Sequence, residues 1–366
     1  MACPTSETEG VCQKSQSTSW ASRSRDWGDS INCHLRTIPW RGPSGTVPSA
    51  EWELGPLQQC RVLDKYLCLI CDQEGAQVKA IKIMIRRSNV RDNGFLVNDQ
   101  LILVIFDVPH LGKCFRNHLK DAISIEWPLS EKELQKRPPN GNETRKIGRF
   151  SHIVKAWQLD KRFYRMSRLT KAHIYPKGVV KMRVKLAFQL LSQKTASMVR
   201  VFGLDKESRF FIPGAAQTGD IISDIDKLLD DVNGSASKQV DKPRRAGVNA
   251  STKHPDRWRH WRKQLTGVIF NYWDKEKKMV VSRRPPFFDN FITTLKSLGD
   301  LWAILQKKPY HQKHLNLRQL SQDPQENFHG VVRGLCGSND HPTVPLFEAA
   351  MKTALVTDLW LAQARF

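Results

Sequence analysis

Two short apolar runs, YLCLIC and LILVIF, dominate the hydrophobic pattern near the start of the ordered-looking sequence, and an aspartate directly follows each of them. Uninterrupted apolar runs of this length are typical of strands that helices cover on both faces. The segments after them repeat apolar residues at helical spacing, and Pro109 stands where a helix can begin. The pattern predicts an α/β layer with Asp72 and Asp107 at the carboxyl ends of two strands, where open α/β sheets place their chemistry.

Beyond residue 146 the hydrophobic pattern is mostly helical. Residues 134–146 are rich in Pro, Gly and Asn and predict a linker. One long amphipathic helix is predicted over residues 179–202, and another over residues 220–234, which ends at Asn233 and Gly234. By contrast, residues 1–55 are rich in Ser, Thr, Gly, Arg and Trp without sustained periodicity, which predicts a largely disordered segment.

The charge balance narrows the class of partner. The 366 residues include 58 Lys and Arg against 36 Asp and Glu, for a formal net charge of +22. A chain this basic attracts polyanions, and DNA or RNA is the leading candidate. The alternative is a basic surface that only water and counterions contact.

The cysteines and apolar runs indicate the compartment. Eight cysteines are scattered without the spacing of a disulfide framework, and the first ten residues lack the pattern of a signal peptide. The apolar runs are much shorter than a membrane span. The sequence therefore predicts a soluble protein of a reducing compartment with no membrane partner.

The stretch LSQDPQENFHG, which starts at Leu320, allows two interpretations. Asp323 as N-cap, Pro324 as first helical residue and Glu326 in the first turn make an ordinary helix start. The functional interpretation is compatible with this helix start, because a capped helix holds Glu326 rigidly, as a metal ligand requires. Together with acids at two strand ends, Glu326 could complete a carboxylate cluster of the kind that binds two Mg²⁺ or Mn²⁺ ions for phosphoryl transfer.

Four ordered motifs resemble the P element-type transposases, the THAP-associated transposase family. FDVPHLGKCFRNHL resembles one family signature, and LSQDPQENFHGVVRGLCGSNDHPTVPLFEAAMKTALV resembles the C-terminal signature. RLTKAHIYPKGVVKMRVKLAFQLLSQKTASMV and TGDIISDIDKLLDDVN resemble two segments between them. The motifs occur in the family's order, and the resemblance covers about residues 60–357, so it is more specific than any one motif.

The resemblance implies an RNase H-like catalytic domain interrupted by a mostly helical GTP-binding insertion. The family's site holds two Mg²⁺ ions on three acids. Asp72 matches the second acid and Glu326 the third, with Asp323 as a further candidate ligand. The first acid has no match on an earlier strand, and the cysteines lack the spacing of the family's zinc-binding THAP module. The chain is therefore expected to be a truncated, catalytically impaired transposase derivative.

The insertion has its own candidate residues. By the resemblance, Asp230 and Asn233 fall on the family's guanine-reading segment, and an Asp carboxylate suits the N1–H and N2–H donors of guanine. Lys171 or Arg168 matches a family lysine near the nucleotide. On spacing alone, the end of a helix is the better explanation of Asp230 and Asn233.

A basic and aromatic segment, DRWRHWRKQ, allows two further interpretations. Its arginines and lysine could hold phosphates while Trp258 and Trp261 stack on bases. Alternatively, the segment is an amphipathic helix with the tryptophans packed inward. The pattern favours neither.

These observations combine into one domain hypothesis. We expect a disordered segment at 1–55, an RNase H-like part at 56–137, a helical GTP-binding-type insertion at 138–320, and an RNase H-like helix and tail at 321–366. The expected protein is nuclear, binds DNA, uses Mg²⁺ (or Mn²⁺) and GTP, and could form a homo-oligomer. The alternative function is a non-enzymatic DNA-binding or assembly protein derived from a transposase.

Overall fold

The architecture is that of an α/β region joined to a larger helical region, seen in a computed structural model. The structure describes residues 66–136, 143–164, 167–235, 243–307, 309–337, 339 and 342–363. The predicted disordered segment 1–55 and residues 137–142 of the predicted linker lie outside these ranges. In the described part, no helix has both the length and the apolar character needed to span a bilayer.

The first sheet contains the two predicted strands. Strand β1 (Cys68–Cys71) pairs in parallel with β3 (Gln100–Phe106), and β2 (Gly94–Val97) forms an antiparallel hairpin with β3. The helices α1 (Gly75–Ser88) and α2 (Val108–Asp121) follow β1 and β3, as the hydrophobic pattern predicts. The apolar side chains of β3 are almost fully buried, which agrees with a strand covered on both faces.

A second sheet crosses the expected boundary at residue 138. Its order is β5-β4-β7-β8, formed by β4 (Ser124–Pro128), β5 (Arg145–Gly148), β7 (Ile269–Asp274) and β8 (Met279–Arg283), all antiparallel. The stretch 138–320 is therefore mostly helical, as expected, but it also supplies three strands of a sheet that begins before residue 138. Strand β4 pairs with strands on both sides of the helical stretch, and one apolar cluster joins the two regions.

The helical region consists of several shorter elements. They are α3 (Glu131–Gln135), α4 (Phe150–Leu159), α5 (Lys171–Ile174), α6 (Val184–Leu190), α7 (Gln193–Leu204), α8 (Ala215–Val232), β6 (Val248–Asn249), α9 (His254–Thr266), α10 (Phe287–Leu305) and β9 (His314–Leu315).

The long helix predicted over residues 179–202 is wrong. A 3₁₀ turn, Gly178–Met182, precedes α6, and the chain breaks again before α7. Ser192 is in an extended conformation there, and its hydroxyl donates to the carbonyl of Gln189 at 2.7 Å. Serine and threonine hydroxyls that bond nearby backbone compete with helix continuation, which the apolar periodicity alone does not reveal.

Helix α10 supports the first sheet. Beyond the β2 hairpin, β3 has no strand partner on that side among the described residues, and the Thr294 hydroxyl accepts from the Phe106 N–H at 2.9 Å. The Ser297 hydroxyl donates to the Asn93 carbonyl at 3.1 Å, one turn further along the helix. The bond from Phe106 satisfies a buried backbone N–H at the end of β3, so α10 fixes the end of β3 that leads into the candidate site.

The last two helices, α11 (Asp323–Leu335) and α12 (Val344–Gln363), form a small apolar cluster of their own. Val332 of α11 packs with Ala350 and Ala354 of α12, apart from the main core. Helix α11 therefore packs its apolar residues against α12 and not against the first sheet. Only the start of α11 is fixed to the sheet edge.

Candidate carboxylate site

The carboxyl ends of β1 and β3 lie side by side. Cys71 pairs with Phe106, and the N–H of Asp107 donates to the Cys71 carbonyl at 2.8 Å. Asp72 and Asp107 therefore follow the two strands at the same edge of the sheet. The thiol of Cys71, buried beside both acids, has its pKa raised by burial and by their negative charges.

Asp107 joins this edge to the start of α11. One carboxylate oxygen accepts from the N–H of His110 at 3.1 Å and caps α2. The other accepts from the N–H of Gln322, 215 positions away, also at 3.1 Å. Burial raises the pKa of Asp107, and the bonds from Gln322 and His110 oppose that rise. Both oxygens are engaged with backbone, so Asp107 positions the site.

Glu326 lies in the first turn of α11, beside α2. Its carboxylate oxygen is 3.8 Å from the Nε2 atom of His110, and about two-thirds of its side chain is exposed. The predicted cap at Asp323 is wrong, because the N-cap residue is Gln322 and Asp323 is the first helical residue. Asp323 and Glu326 instead place negative charge in the first helical turn, where the helix dipole stabilises it.

Asp72 and Glu326 both lie near Asp107, the residue that joins the sheet edge to the start of α11. One oxygen of Asp72 accepts from the Glu74 N–H at 2.8 Å, and the side chain remains partly exposed. Carboxylate oxygens are the ligands that Mg²⁺ and Mn²⁺ prefer, so the donor type fits the implied metals. The number of donors does not suffice, because within the described ranges no group of three or more His, Cys, Asp or Glu residues could hold an ion.

The candidate nucleotide residues lie at two places in the helical region. Asp230 is in the last turn of α8 and accepts from Arg245 Nε at 2.7 Å, while Asn233 is the residue that caps this helix. Arg168 and Lys171 are exposed at the start of α5. Their roles stay predictions.

The two tryptophans of α9 are buried, so the hypothesis that they stack on bases is wrong. Trp258 donates to the Asp231 carbonyl at 2.8 Å, and Trp261 donates to the Asp231 carboxylate at 2.7 Å. That carboxylate has no exposed surface and also pairs with Arg244 and Arg257. Sequence reasoning missed Asp231, since its neighbour Asp230 matched the family segment. The alternative interpretation, an amphipathic helix with inward tryptophans, is the correct one.

Comparison with known proteins identifies the chain's relatives. The family model for the TNP-like GTP-binding insertion domain matches residues 110–243, and the model for the TNP-like RNase H C-terminal domain matches residues 319–352. The chain is 27% identical over 265 residues to the Transposable element P transposase of Drosophila melanogaster, which covers 71% of this chain and 31% of that protein. It thus spans about a third of the relative's length.

A solved structure has the same fold. The structure titled Drosophila P element transposase strand transfer complex matches with a TM-score of 0.65 at 22% identity, covering 84% of this chain and 64% of that one. The fold is thus that of a partial RNase H-like α/β domain interrupted by a mostly α-helical insertion. With its two TNP-like domain matches and its similarity to the Drosophila protein, the chain resembles the P element-type transposases.

Proposed function

We propose that this chain is a transposase-derived DNA-binding protein whose carboxylates Asp72 and Glu326 hold divalent metal ions for cleavage and joining of DNA strands. Asp323 is a further candidate ligand in the same turn as Glu326. The observation that supports this most directly is the hydrogen bond from Gln322 to Asp107, which fixes the start of the Glu326 helix at the end of β3, beside the end of β1 that leads into Asp72.

In this proposal the described residues supply two of the acids that such a site needs. Two-metal phosphoryl transfer requires ions held in fixed geometry about 3.5–4 Å apart, so we expect the two carboxylates within about 8 Å of each other. A site short of one bridging carboxylate holds the ions poorly. We therefore propose that the chain alone is catalytically impaired, and that a carboxylate from outside the described residues would complete the site.

The net charge of +22 supports DNA as the partner. Attraction to phosphates needs no intact catalytic site, so the chain should bind DNA even if it cannot cut it. This supports the second candidate function, a non-enzymatic DNA-binding or assembly protein.

We also propose GTP as a ligand of the insertion, with Asp230 and Asn233 reading guanine and Lys171 or Arg168 near the phosphates. The proposed location is the nucleus, which microscopy of the tagged protein would test.

One experiment separates the two candidate functions. The purified chain is mixed with labelled duplex DNA over a salt series, with and without Mg²⁺ or Mn²⁺, and both mobility shift and strand cleavage are measured. Asp72→Asn and Glu326→Gln are compared with Glu207→Gln, which changes an exposed acid in a loop of the helical region. Mn²⁺ binding is measured in parallel by calorimetry.

We expect DNA binding that falls about 10³-fold between 50 and 200 mM salt if about six phosphates are neutralised. All three variants should bind DNA like the wild type, and only Asp72→Asn and Glu326→Gln should weaken Mn²⁺ binding. No metal-dependent product is expected. Nicking by the wild type that both site variants abolish, and that Glu207→Gln leaves intact, would refute the impairment and favour an active transposase-type enzyme.

A further inference from the structure

The β7–β8 hairpin extends beyond the sheet that carries it. Strand β4 pairs only with the first half of β7, up to Asn271. The rest of β7, the turn and the first part of β8, up to Val281, continue past that pairing, and most side chains of β8 are exposed. The hairpin is thus a protruding element whose distal half packs on the body from one side only.

One face of the hairpin is held rigidly against α2. The Tyr272 hydroxyl lies 2.7 Å from Nδ1 of His118, near the end of α2, and the Tyr272 ring stacks with buried Phe270. The guanidinium of Arg283 lies over the same ring at 4.4 Å. These contacts fix the backbone of the hairpin without covering its other face.

The opposite face presents a large aromatic side chain to solvent. Trp273 is directly across from Val280, and the two are 56% and 47% exposed. Nearer the sheet this face continues with polar residues, where Asn271 bonds Ser124 and Ser282. The other tryptophans whose burial the structure describes lie in the core. An exposed tryptophan on a rigid strand is therefore unusual in this chain.

The turn beside Trp273 is basic. Lys275, Lys277 and Lys278 are exposed, and no ion pair to them is present among the described residues. Of the two nearby acids, Asp274 turns back to accept from the N–H groups of Glu276 and Lys277. The positive charge therefore points outward, next to the exposed ring.

We propose that this hairpin binds unpaired DNA, with a base stacked on Trp273 and Val280 and the adjacent phosphates held by the turn lysines. Bases of every type have a π-face that an aromatic side chain can stack on, and lysines beside it match the charge of the backbone. The inference rests on the proposed DNA binding. The proposed DNA-binding surface lies about 16 Å along α2 from Asp107, so it is separate from the carboxylate site.

Another copy of the chain is the competing occupant, because β8 is an edge strand. Two features disfavour it. Charged residues such as lysine and arginine protect edge strands from pairing with other strands. Lys278 directly precedes β8, and Arg283 is its last residue. Two copies of a chain with a net charge of +22 also repel each other, whereas a polyanion is attracted.

The test compares single-stranded and duplex DNA by fluorescence anisotropy, using a short labelled thymidine oligonucleotide and a duplex of the same length at equal salt. Trp273→Ala should weaken single-strand binding about tenfold or more, in line with the loss of one base–aromatic stack, and change duplex binding less than about twofold. Trp273→Phe should restore most of the single-strand affinity. Tyr175→Ala, which removes another exposed ring, should change neither.

A second variant tests the role of charge. Lys275→Ala combined with Lys277→Ala should reduce the salt dependence of single-strand binding by up to about two phosphate contacts. Because these side chains are exposed, thermal melting of each variant should match the wild type and exclude misfolding. Light scattering on the same samples measures oligomeric state.

The outcomes are distinguishable. A wild-type chain that binds neither DNA overturns the proposed function, and this inference with it. A wild-type chain that binds both while Trp273→Ala weakens them equally, or not at all, overturns only the inference. A wild-type dimer that Trp273→Ala converts to monomer would show that a second copy occupies the surface instead.

Discussion

Asp230 and Asp231 are adjacent acids with contrasting environments, so we expect their alanine variants to differ in stability. Asp231 has a fully buried side chain that accepts from Trp261 at 2.7 Å and Arg257 at 3.1 Å, and pairs with Arg244. Asp230 is partly exposed and pairs with Arg245 at 2.7 Å. We expect Asp231→Ala to destabilise the fold and Asp230→Ala to leave stability nearly unchanged.

The magnitude for Asp231→Ala follows from the contacts that it removes. The hydrogen bond from Trp261 to a carboxylate contributes about 1.5–3 kcal/mol, and leaving that buried N–H unpaired costs about 1–3 kcal/mol more. Arg244 and Arg257 are 35% and 24% exposed, so water can partly replace their lost partner. The two terms sum to about 2.5–6 kcal/mol, and we take the middle of that span, about 3–5 kcal/mol, which is the range measured for breaking buried charge pairs. At about 2 °C per kcal/mol for a protein of this size, melting should fall by about 6–10 °C.

Asp230→Ala provides the matched control. An ion pair between partly exposed groups contributes about 0–1 kcal/mol, so its melting temperature should fall by less than about 2 °C. Thermal unfolding is measured for the wild type and both variants, alone and with GTP or ATP. If Asp230 reads guanine, GTP should raise the melting temperature of the wild type and of Asp231→Ala, but not that of Asp230→Ala.

Two results would refute this reasoning. Wild-type melting of Asp231→Ala would mean that the buried network contributes little to stability. Loss of DNA binding by Asp231→Ala at a temperature where it remains folded would instead mean that the Asp231 network, with Arg244 and Arg257, positions a DNA-binding surface.

Three further predictions concern stability. Burial acts to raise the pKa of Glu133, but hydrogen bonds from Ser130 and Lys146 outweigh it and lower the pKa to about 2. The ionised Glu133 therefore adds its full contribution to the unfolding free energy above about pH 4.5, and this contribution is lost as pH falls toward 2. In urea unfolding, the unfolding free energy of Glu133→Gln should fall less steeply with acid than that of the wild type. Thr294→Val leaves the buried Phe106 N–H without its partner and should cost about 1–3 kcal/mol in urea unfolding, whereas Thr353→Val, on the exposed side of α12, should cost much less. Gly203→Ala places a methyl group against the backbone of Ala216, where α7 crosses α8, and should lower the unfolding free energy by about 1–3 kcal/mol, while Gly75→Ala, with open space around it, should not.

The sequence predicted the features that local patterns determine. The apolar runs specify β1 and β3, Pro109 and Asp107 mark the start of α2, and Asn233 ends α8. The β7–β8 hairpin was missed, although FNYWDKEKKMVVS contains a polar turn between two strand-like segments. The break at Ser192 was missed for another reason, because apolar periodicity continues through it while the hydroxyl bonds the backbone. Which way the tryptophans of α9 face depends on the rest of the fold, so the pattern left two interpretations open.

The candidate site shows why sequence spacing could not supply its geometry. Asp72 and Glu326 are brought to one junction by Asp107, whose two oxygens bind backbone N–H groups on α2 and before α11. Neither bond involves a side-chain partner, so no pairing of residue types in the sequence encodes it. Since Asp107 is fully engaged and buried, its substitution should loosen the start of α11 without removing a metal ligand. The acids at this sheet edge thus differ in environment: buried Asp107 holds the two segments together, whereas Glu326, a proposed metal ligand, has a largely exposed side chain.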